Sequence, residues 1–342
     1  MPDLFRCNPC FFISSKTQSI FSMDIIRFIK NWTLPIAMIL GVILYFAYAS
    51  LQLPIQVRHF TSQTVNLLQP LLIFSMLFLT FCKVNVSELK PCRWHLSLLL
   101  IQSLSFIVLA ALLYLFPDTD ARILVEGTML CLICPTATAA AVVTGKLGGS
   151  AAHLTSYTIL INIVNAVLVP LIVPVIHPQE GVMFVSSFLI ILGKVLPLLL
   201  CPFILAVVLR ALLPKVHAFF GRYHGISFYL WAVALTLAIA VTVKSIVHSE
   251  VSIWYQAGLA AVSLVTCVLQ FYIGKRIGRK HDDSISAGQA LGQKNTVLAI
   301  WMGYTFFTPV TSVAMGFYSV WHNVFNSYQL YLQRKKDEKG TN

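Results

Sequence analysis

Leu130-Cys-Leu-Ile-Cys-Pro-Thr-Ala-Thr138 and Gln289-Ala-Leu-Gly-Gln-Lys-Asn-Thr296 interrupt two apolar stretches at matching places in the chain. Each interruption frees backbone amides and carbonyls in the middle of a bilayer, where an unpaired polar group costs several kcal/mol unless it lines a protected cavity. A pair of broken helices marks the solute site of a membrane carrier. The plainer reading is that Pro135 and Gly292 are kinks in packed helices, because Gly and Pro are common in membrane spans. The polar residues gathered at both breaks argue against it.

Working outward, the 342 residues are 58% hydrophobic and only 11% charged, with a mean hydropathy of +0.80. Soluble domains carry about 25% charged residues, so this is an integral membrane protein. Stretches long enough to cross about 30 Å of hydrocarbon lie near 33–51, 64–82, 96–116, 123–144, 154–176, 182–209, 226–247, 253–274, 286–304 and 308–332. Only a short Pro309-centred turn separates the last two. With both ends inside, the cytoplasmic segments collect Lys83, Lys90, Arg93, Lys146, Arg210 to Arg222, Lys275 to Lys280 and Arg334 to Lys339. The outer loops hold only Arg58, Arg122 and Lys244. That asymmetry fits an even number of spans, in the inner (plasma) membrane with cytoplasmic termini. The net charge of +12 is therefore a topology signal. Spread over loops, it forms no face for nucleic acid.

Most cysteines (Cys82, Cys131, Cys134, Cys201, Cys267) lie in apolar runs as small hydrophobes, which argues against a disulfide framework. Cys7-Asn-Pro-Cys10 has no second pair to complete a metal or redox site. Met23 begins a basic amphipathic piece that feeds the first span. Residues 1–22 read as an extension without the apolar core of a signal peptide. The expected units are this extension, a transporter domain over 23–332 and a basic cytoplasmic tail over 333–342.

The fold class expected is an all-α membrane protein of ten transmembrane helices in two five-helix repeats, about 31–178 and 179–332. In each repeat the fourth helix is interrupted, so the broken helices are the fourth and the ninth. An odd-numbered repeat places its second copy upside down, relating the halves by an axis in the bilayer plane. The broken helices then cross with their breaks facing.

Cys134-Pro-Thr-Ala-Thr-Ala-Ala-Ala-Val-Val-Thr144 resembles the Cys-Pro-Gly-Gly-Thr-Ala-Ser-Asn-Val-Val-Thr stretch of the bile acid:sodium symporter family. Val169-Pro-Leu-Ile-Val-Pro174 is similar to that family's Ala-Pro-Leu-Leu-Thr-Pro. Leu291-Gly-Gln-Lys-Asn-Thr296 stands where the family has Glu-Thr-Gly-x-Gln-Asn. Leu71 to Lys83 with Val84-Asn-Val-Ser-Glu-Leu89 fits the family's second helix, and Val320-Trp-His-Asn-Val-Phe-Asn-Ser327 its last. The resemblance covers roughly 30–330. It implies a core domain of spans three to five and eight to ten, against which a panel domain rocks.

The chain departs from the family where sodium is held. The family's Ser-Asn pair and its Glu and Gln read here Ala140, Ala141, Ala290 and Lys294, the signature of a divergent member. Sodium needs several oxygen ligands, and Ala supplies none. Ala290 and Lys294, at i and i+4, share a helix face, so the amine points into the vacated space. Lys294 has three readings: it snorkels to the interface, it is a fixed charge that replaces sodium, or it gains and loses a proton during the cycle. An intramembrane charge usually faces a cavity, which favours a cation-replacing role without choosing between the last two.

Thr136, Ala137 and Thr138 at the first break and Gln293, Lys294 and Asn295 at the second are the candidate substrate contacts. Asn162 and Asn165, at i and i+3, serve equally as interhelical glue or as ligand contacts. Lys194 beside Pro197 is the other deeply placed cation, a contact for an anionic solute or a headgroup. Arg122 and Glu126 read as an i,i+4 ion pair, and His153 and His322 as interfacial.

The leading function is a secondary carrier of an organic anion, for which the resemblance implies bile acids, sulfated steroids or small carboxylates such as pantoate and pyruvate. The expected partners are that solute and the bilayer. No nucleotide-binding loop appears, and no cofactor, metal or catalytic residue is expected. A Ser/His hydrolase built on Gly148-Gly-Ser-Ala-Ala-His153 is the weaker reading, because a nucleophile needs an oriented base and this is a short loop. A non-transporting receptor is the third class.

Overall fold

Apolar stretches with no internal strand signal form helices throughout the computed structural model, which describes residues 33, 35–84, 89, 91–178, 180–222 and 226–340. The expected extension at 1–22 lies outside the described residues. The helices are α1 Pro35–Ser50, α2 Ile55–Phe81, α3 Arg93–Leu115, α4 Arg122–Ile133, α5 Ala140–Lys146, α6 Ala151–Ile176 and α7 Phe184–Leu212. They continue as α8 Pro214–Arg222, α9 Ile226–Val247, α10 Ile253–Arg279, α11 Ser284–Gly292, α12 Thr296–Phe306 and α13 Ser312–Gly340, with a 3-10 turn at Pro309–Thr311 before the last. Six of them (α2, α3, α6, α7, α9 and α10) are long and apolar enough to cross a membrane. The protein is thus a multi-pass, all-helical membrane protein.

Both breaks are present. α4 stops at Ile133 and α5 starts at Ala140; α11 stops at Gly292 and α12 starts at Thr296. Three boundaries differ from the sequence reading. α2 begins at Ile55, well before 64, because Pro54 at its N-cap sets the start and the polar residues from Gln56 to His59 extend the helix without adding apolar length. α8 is a separate short helix in which Val216, Phe219 and Phe220 alternate with Lys215 and Arg222. α13 continues through the basic residues after 332 to Gly340.

In lipid, hydrophobicity does not separate the inner face of a helix from the outer one. On α3, Leu96, Leu100, Leu104 and Val108 are exposed, while Trp94, Leu98, Gln102 and Phe106 are buried. The polar residue is on the inside. Packing among α10, α4, α13 and α11, and of α2 on α7 and α9, builds a main cluster around Met129, Leu130, Leu298, Ile300 and Met315. A second, smaller cluster of Trp94, Leu98, Ala140, Leu154, Tyr157, Ala290 and Leu291 surrounds the broken helices.

Contacts assign the helix ends to two faces. Asp283 accepts from Trp94 Nε1 at 3.0 Å and pairs with His153 Nδ1 at 2.7 Å, which brings together the starts of α3 and α6 and the α10–α11 turn. Lys83 donates to Ser227 and Arg210 to the Val84 carbonyl. Lys83 and Lys146 line one cavity, so all these ends lie on one basic face. At the opposite face Glu126 is fully buried: it pairs with Arg122 Nε at 2.9 Å and His177 Nε2 at 3.2 Å, and accepts from Thr308 N at 3.0 Å. The i,i+4 pair is therefore also the junction of α4, α6 and the turn after α12. His322, read as interfacial, is buried ten residues into α13 against Tyr318, well inside the span and away from either helix end.

Gly274 and Gly278 let α10 approach α11 closely. A Cβ would sit 2.5 Å from the Ala287 carbonyl oxygen at the first and 2.5 Å from that of Asp283 at the second. These obstacles are backbone, which cannot swing aside. Gly274→Leu should therefore abolish monodisperse folded protein in detergent, read by size-exclusion chromatography. Gly145→Ala, at a helical position with open space around it, should raise thermal stability by about 0.5–1 kcal/mol.

Candidate functional site

The two breaks are joined backbone to backbone. Ala137 N donates to the Gln293 carbonyl and Asn295 N to the Pro135 carbonyl, both at 2.8 Å, so Thr136 and Lys294 face each other as a two-residue antiparallel bridge. This is how extended backbone is accommodated at membrane depth.

The last four carbonyls of α4 need donors that a continuous helix would have supplied, and each has one. Leu130 receives the amide of Cys134, and Cys131 receives Gln270 Nε2 at 3.0 Å. Leu132 receives Lys294 Nζ at 3.1 Å. Ile133 receives Asn165 Nδ2 at 2.6 Å and Gln102 Nε2 at 3.0 Å. On the other side, Thr136 Oγ1 donates to the Ala290 carbonyl at 2.7 Å and Tyr318 OH to that of Gly292 at 2.8 Å. Asn295 caps α12 by accepting from Leu298 N at 3.3 Å.

Lys294 is 1% exposed. Among the described residues no carboxylate pairs with it; its ammonium donates to a last-turn carbonyl of α4, the negative end of that helix. Ala290 and Lys294 do not share a helix face as the i,i+4 spacing suggested, because α11 ends at Gly292 and Lys294 lies in the extended bridge. Ala140 and Ala290, both fully buried, belong to one apolar cluster with Leu98, Leu154, Tyr157 and Leu291.

A cavity of about 660 Å³ opens between α2 and α9 on one side and α5 and α6 on the other. Thr138 and Ala141 line it, together with Lys83, Lys146, Thr155 and Trp231. Ala137 is half-buried beside the bridge, while Thr136, Gln293, Lys294, Asn295, Asn162 and Asn165 are buried inside the crossing. Asn165 bridges α6 to the end of α4; neither amide atom of Asn162 has a hydrogen-bond partner among the described residues. Lys194 is exposed on the surface of α7 and does not line the cavity, because its face of the helix turns away from α5.

Four residues of the site carried no weight in the sequence reading. Gln102 on α3 accepts from Tyr157 OH of α6 at 2.8 Å, and Gln270 on α10 lies 3.1 Å from Tyr318 OH of α13. Each Gln-Tyr pair braces the crossing from one half of the chain. The available signal was a glutamine within an apolar span together with a tyrosine two spans further on.

Gln270→Leu should leave the Cys131 carbonyl buried without a donor, at a cost of about 1–3 kcal/mol. A lowered thermal unfolding midpoint in detergent checks this, and Gln329→Leu on the rim of α13 should leave the midpoint nearly unchanged.

The family model of the sodium bile acid symporter family matches residues 70–249. The uncharacterized sodium-dependent transporter YocS of Bacillus subtilis strain 168 is 23% identical over 333 residues, covering 93% of this chain and 96% of YocS.

Proposed function

The chain belongs to the sodium bile acid symporter family, and from that premise we propose that this membrane transporter carries an organic anion by alternating access, without a sodium ion. Members of the family are transporters, and the chain is accordingly a transporter and not an enzyme. The observation that carries the finer reading is Lys294 Nζ on the Leu132 carbonyl, beside Ala140 and Ala290 packed among apolar side chains. A tethered ammonium at the C-terminal end of α4 performs the neutralising task of a bound cation, and the alanines offer a cation no oxygen. YocS is named as a sodium-dependent transporter, so coupling to sodium is the reading to be tested against.

The architecture proposed is ten membrane crossings in two inverted five-helix repeats, about 31–178 and 179–332, in which α4–α5 and α11–α12 are the broken fourth and ninth crossings. The matched braces Gln102–Tyr157 and Gln270–Tyr318 support this symmetry. α1, α2, α7 and α9 form the panel that rocks; the remaining membrane helices form the core. The 660 Å³ cavity between them is the solute chamber, with Lys83 and Lys146 as the positive groups that attract a carboxylate or sulfate. The basic face is cytoplasmic by the positive-inside rule, which makes this an inward-open arrangement in the plasma membrane.

Lys294→Ala should abolish flux in proteoliposomes while leaving expression largely intact. Replacing sodium with choline at constant ionic strength should change wild-type binding by less than tenfold, about 1.4 kcal/mol; a larger fall would establish sodium coupling. Lys294→Gln combined with Ala290→Glu restores two family oxygens and should introduce partial sodium dependence. Normal flux by Lys294→Ala between pH 5 and 9 would remove the amine from both cation-replacing roles.

A further inference from the structure

The cavity between panel and core is open on the basic face, so something must close the other one. α2 packs on α12, and α9 packs on α12, α13 and the turn at Pro309–Thr311. In that closed half lies a polar contact inside an otherwise apolar helix. Gln69 of α2 is fully buried, and its Oε1 accepts a hydrogen bond from Tyr304 OH of α12. Gln69 precedes the end of α2 at Phe81 by twelve residues, about 18 Å at 1.5 Å per residue. Tyr304 is in the last turn of α12, just before Thr308, whose amide is held by Glu126. The contact therefore belongs to the half of the protein remote from Lys83 and Lys146.

We propose that Tyr304 and Gln69 form the latch that closes the face opposite the cavity, and that parting this pair is a step in opening that face. The inference rests on the alternating-access reading above. Three features support it. The two residues belong to the panel and the core respectively, so the bond spans the surface along which those bodies separate. Gln69 Nε2 has no partner among the described residues, so the amide is held on one side only. Pro70, the next residue, has no amide hydrogen and leaves the Asn66 carbonyl without its intrahelical donor, so α2 has a point of reduced stiffness beside the latch. A buried glutamine in a lipid-embedded helix is costly to keep for packing alone. A bond worth little net energy, yet specific in geometry, suits a contact that forms and breaks in each cycle.

The test is thiol accessibility in membrane vesicles of known orientation, with Cys7, Cys10, Cys92 and Cys201 replaced by Ser. One reporter is Val310→Cys, buried in the closed half against α9; the other is Thr155→Cys, on the cavity wall. Tyr304→Phe and, separately, Gln69→Leu should each accelerate modification of the Val310 reporter by about threefold to tenfold, the range expected for one lost hydrogen bond. Modification at Thr155 should slow. The double variant should show no further gain, since both changes remove one bond. If the Val310 reporter reacts in the otherwise wild-type protein but is not accelerated in either variant, the latch is refuted and the carrier reading stands. If it is inert in every background, both the latch and alternating access fall. Acceleration at both reporters signifies general loosening and also refutes the latch.

Discussion

The arrangement depends on the demand of backbone carbonyls for donors where water is absent. Breaking α4 at Ile133 leaves its last-turn oxygens without a helical continuation. The side chains that answer them come from α3, α6, α10 and the second break. Each donor fixes the position of its own helix relative to α4. The core is therefore tied together at the place where its regular structure fails. Its apolar packing could equally be satisfied by lipid.

Seen this way, Lys294 is one member of a donor set whose others are neutral amides and hydroxyls. Its charge distinguishes it. Two helices, α4 and α11, direct their C-terminal ends at the crossing, and the partial negative charge there favours a cation over a neutral donor. Binding a free ion would require several ligands and a dehydrated pocket. In the proposed carrier a lysine supplies the charge already attached, while Ala140 and Ala290 pack in an apolar cluster. Lys83 and Lys146 stand apart from this set, on the wall of the cavity.

Much of this was legible in the sequence for identifiable reasons. Pro135 and Gly292 within apolar runs announced the breaks, and the all-helical, membrane-spanning character followed from apolar stretches of the length needed to cross a bilayer. The facing of the two breaks followed from their equivalent positions and is met by the Thr136–Lys294 bridge. What periodicity did not reveal was the facing of individual helices. On α3 both faces are apolar, so Gln102 gave no sign of which carbonyl it would reach. Glu126 looked like half of a surface pair because Arg122 lies four residues away. Its burial depends on His177 and Thr308, which are distant in the chain. Lys83 and Lys146 read as topology signals because charge counting is blind to cavities.

The sequence distances in the donor set carry a consequence for synthesis. Asn165 and Gln102 reach the Ile133 carbonyl from within the first half of the chain, each across 31 or 32 residues. The donors to Cys131 and Leu132 lie 139 and 162 residues further on. When α4 first enters the bilayer, half of its terminal oxygens have their partners close behind, and the rest must await a segment not yet translated. Two of these carbonyls thus depend on residues that follow the first break by more than 130 positions. A chain ending before Lys294 would carry α4 complete and still lack the donor that the folded protein gives to the Leu132 carbonyl.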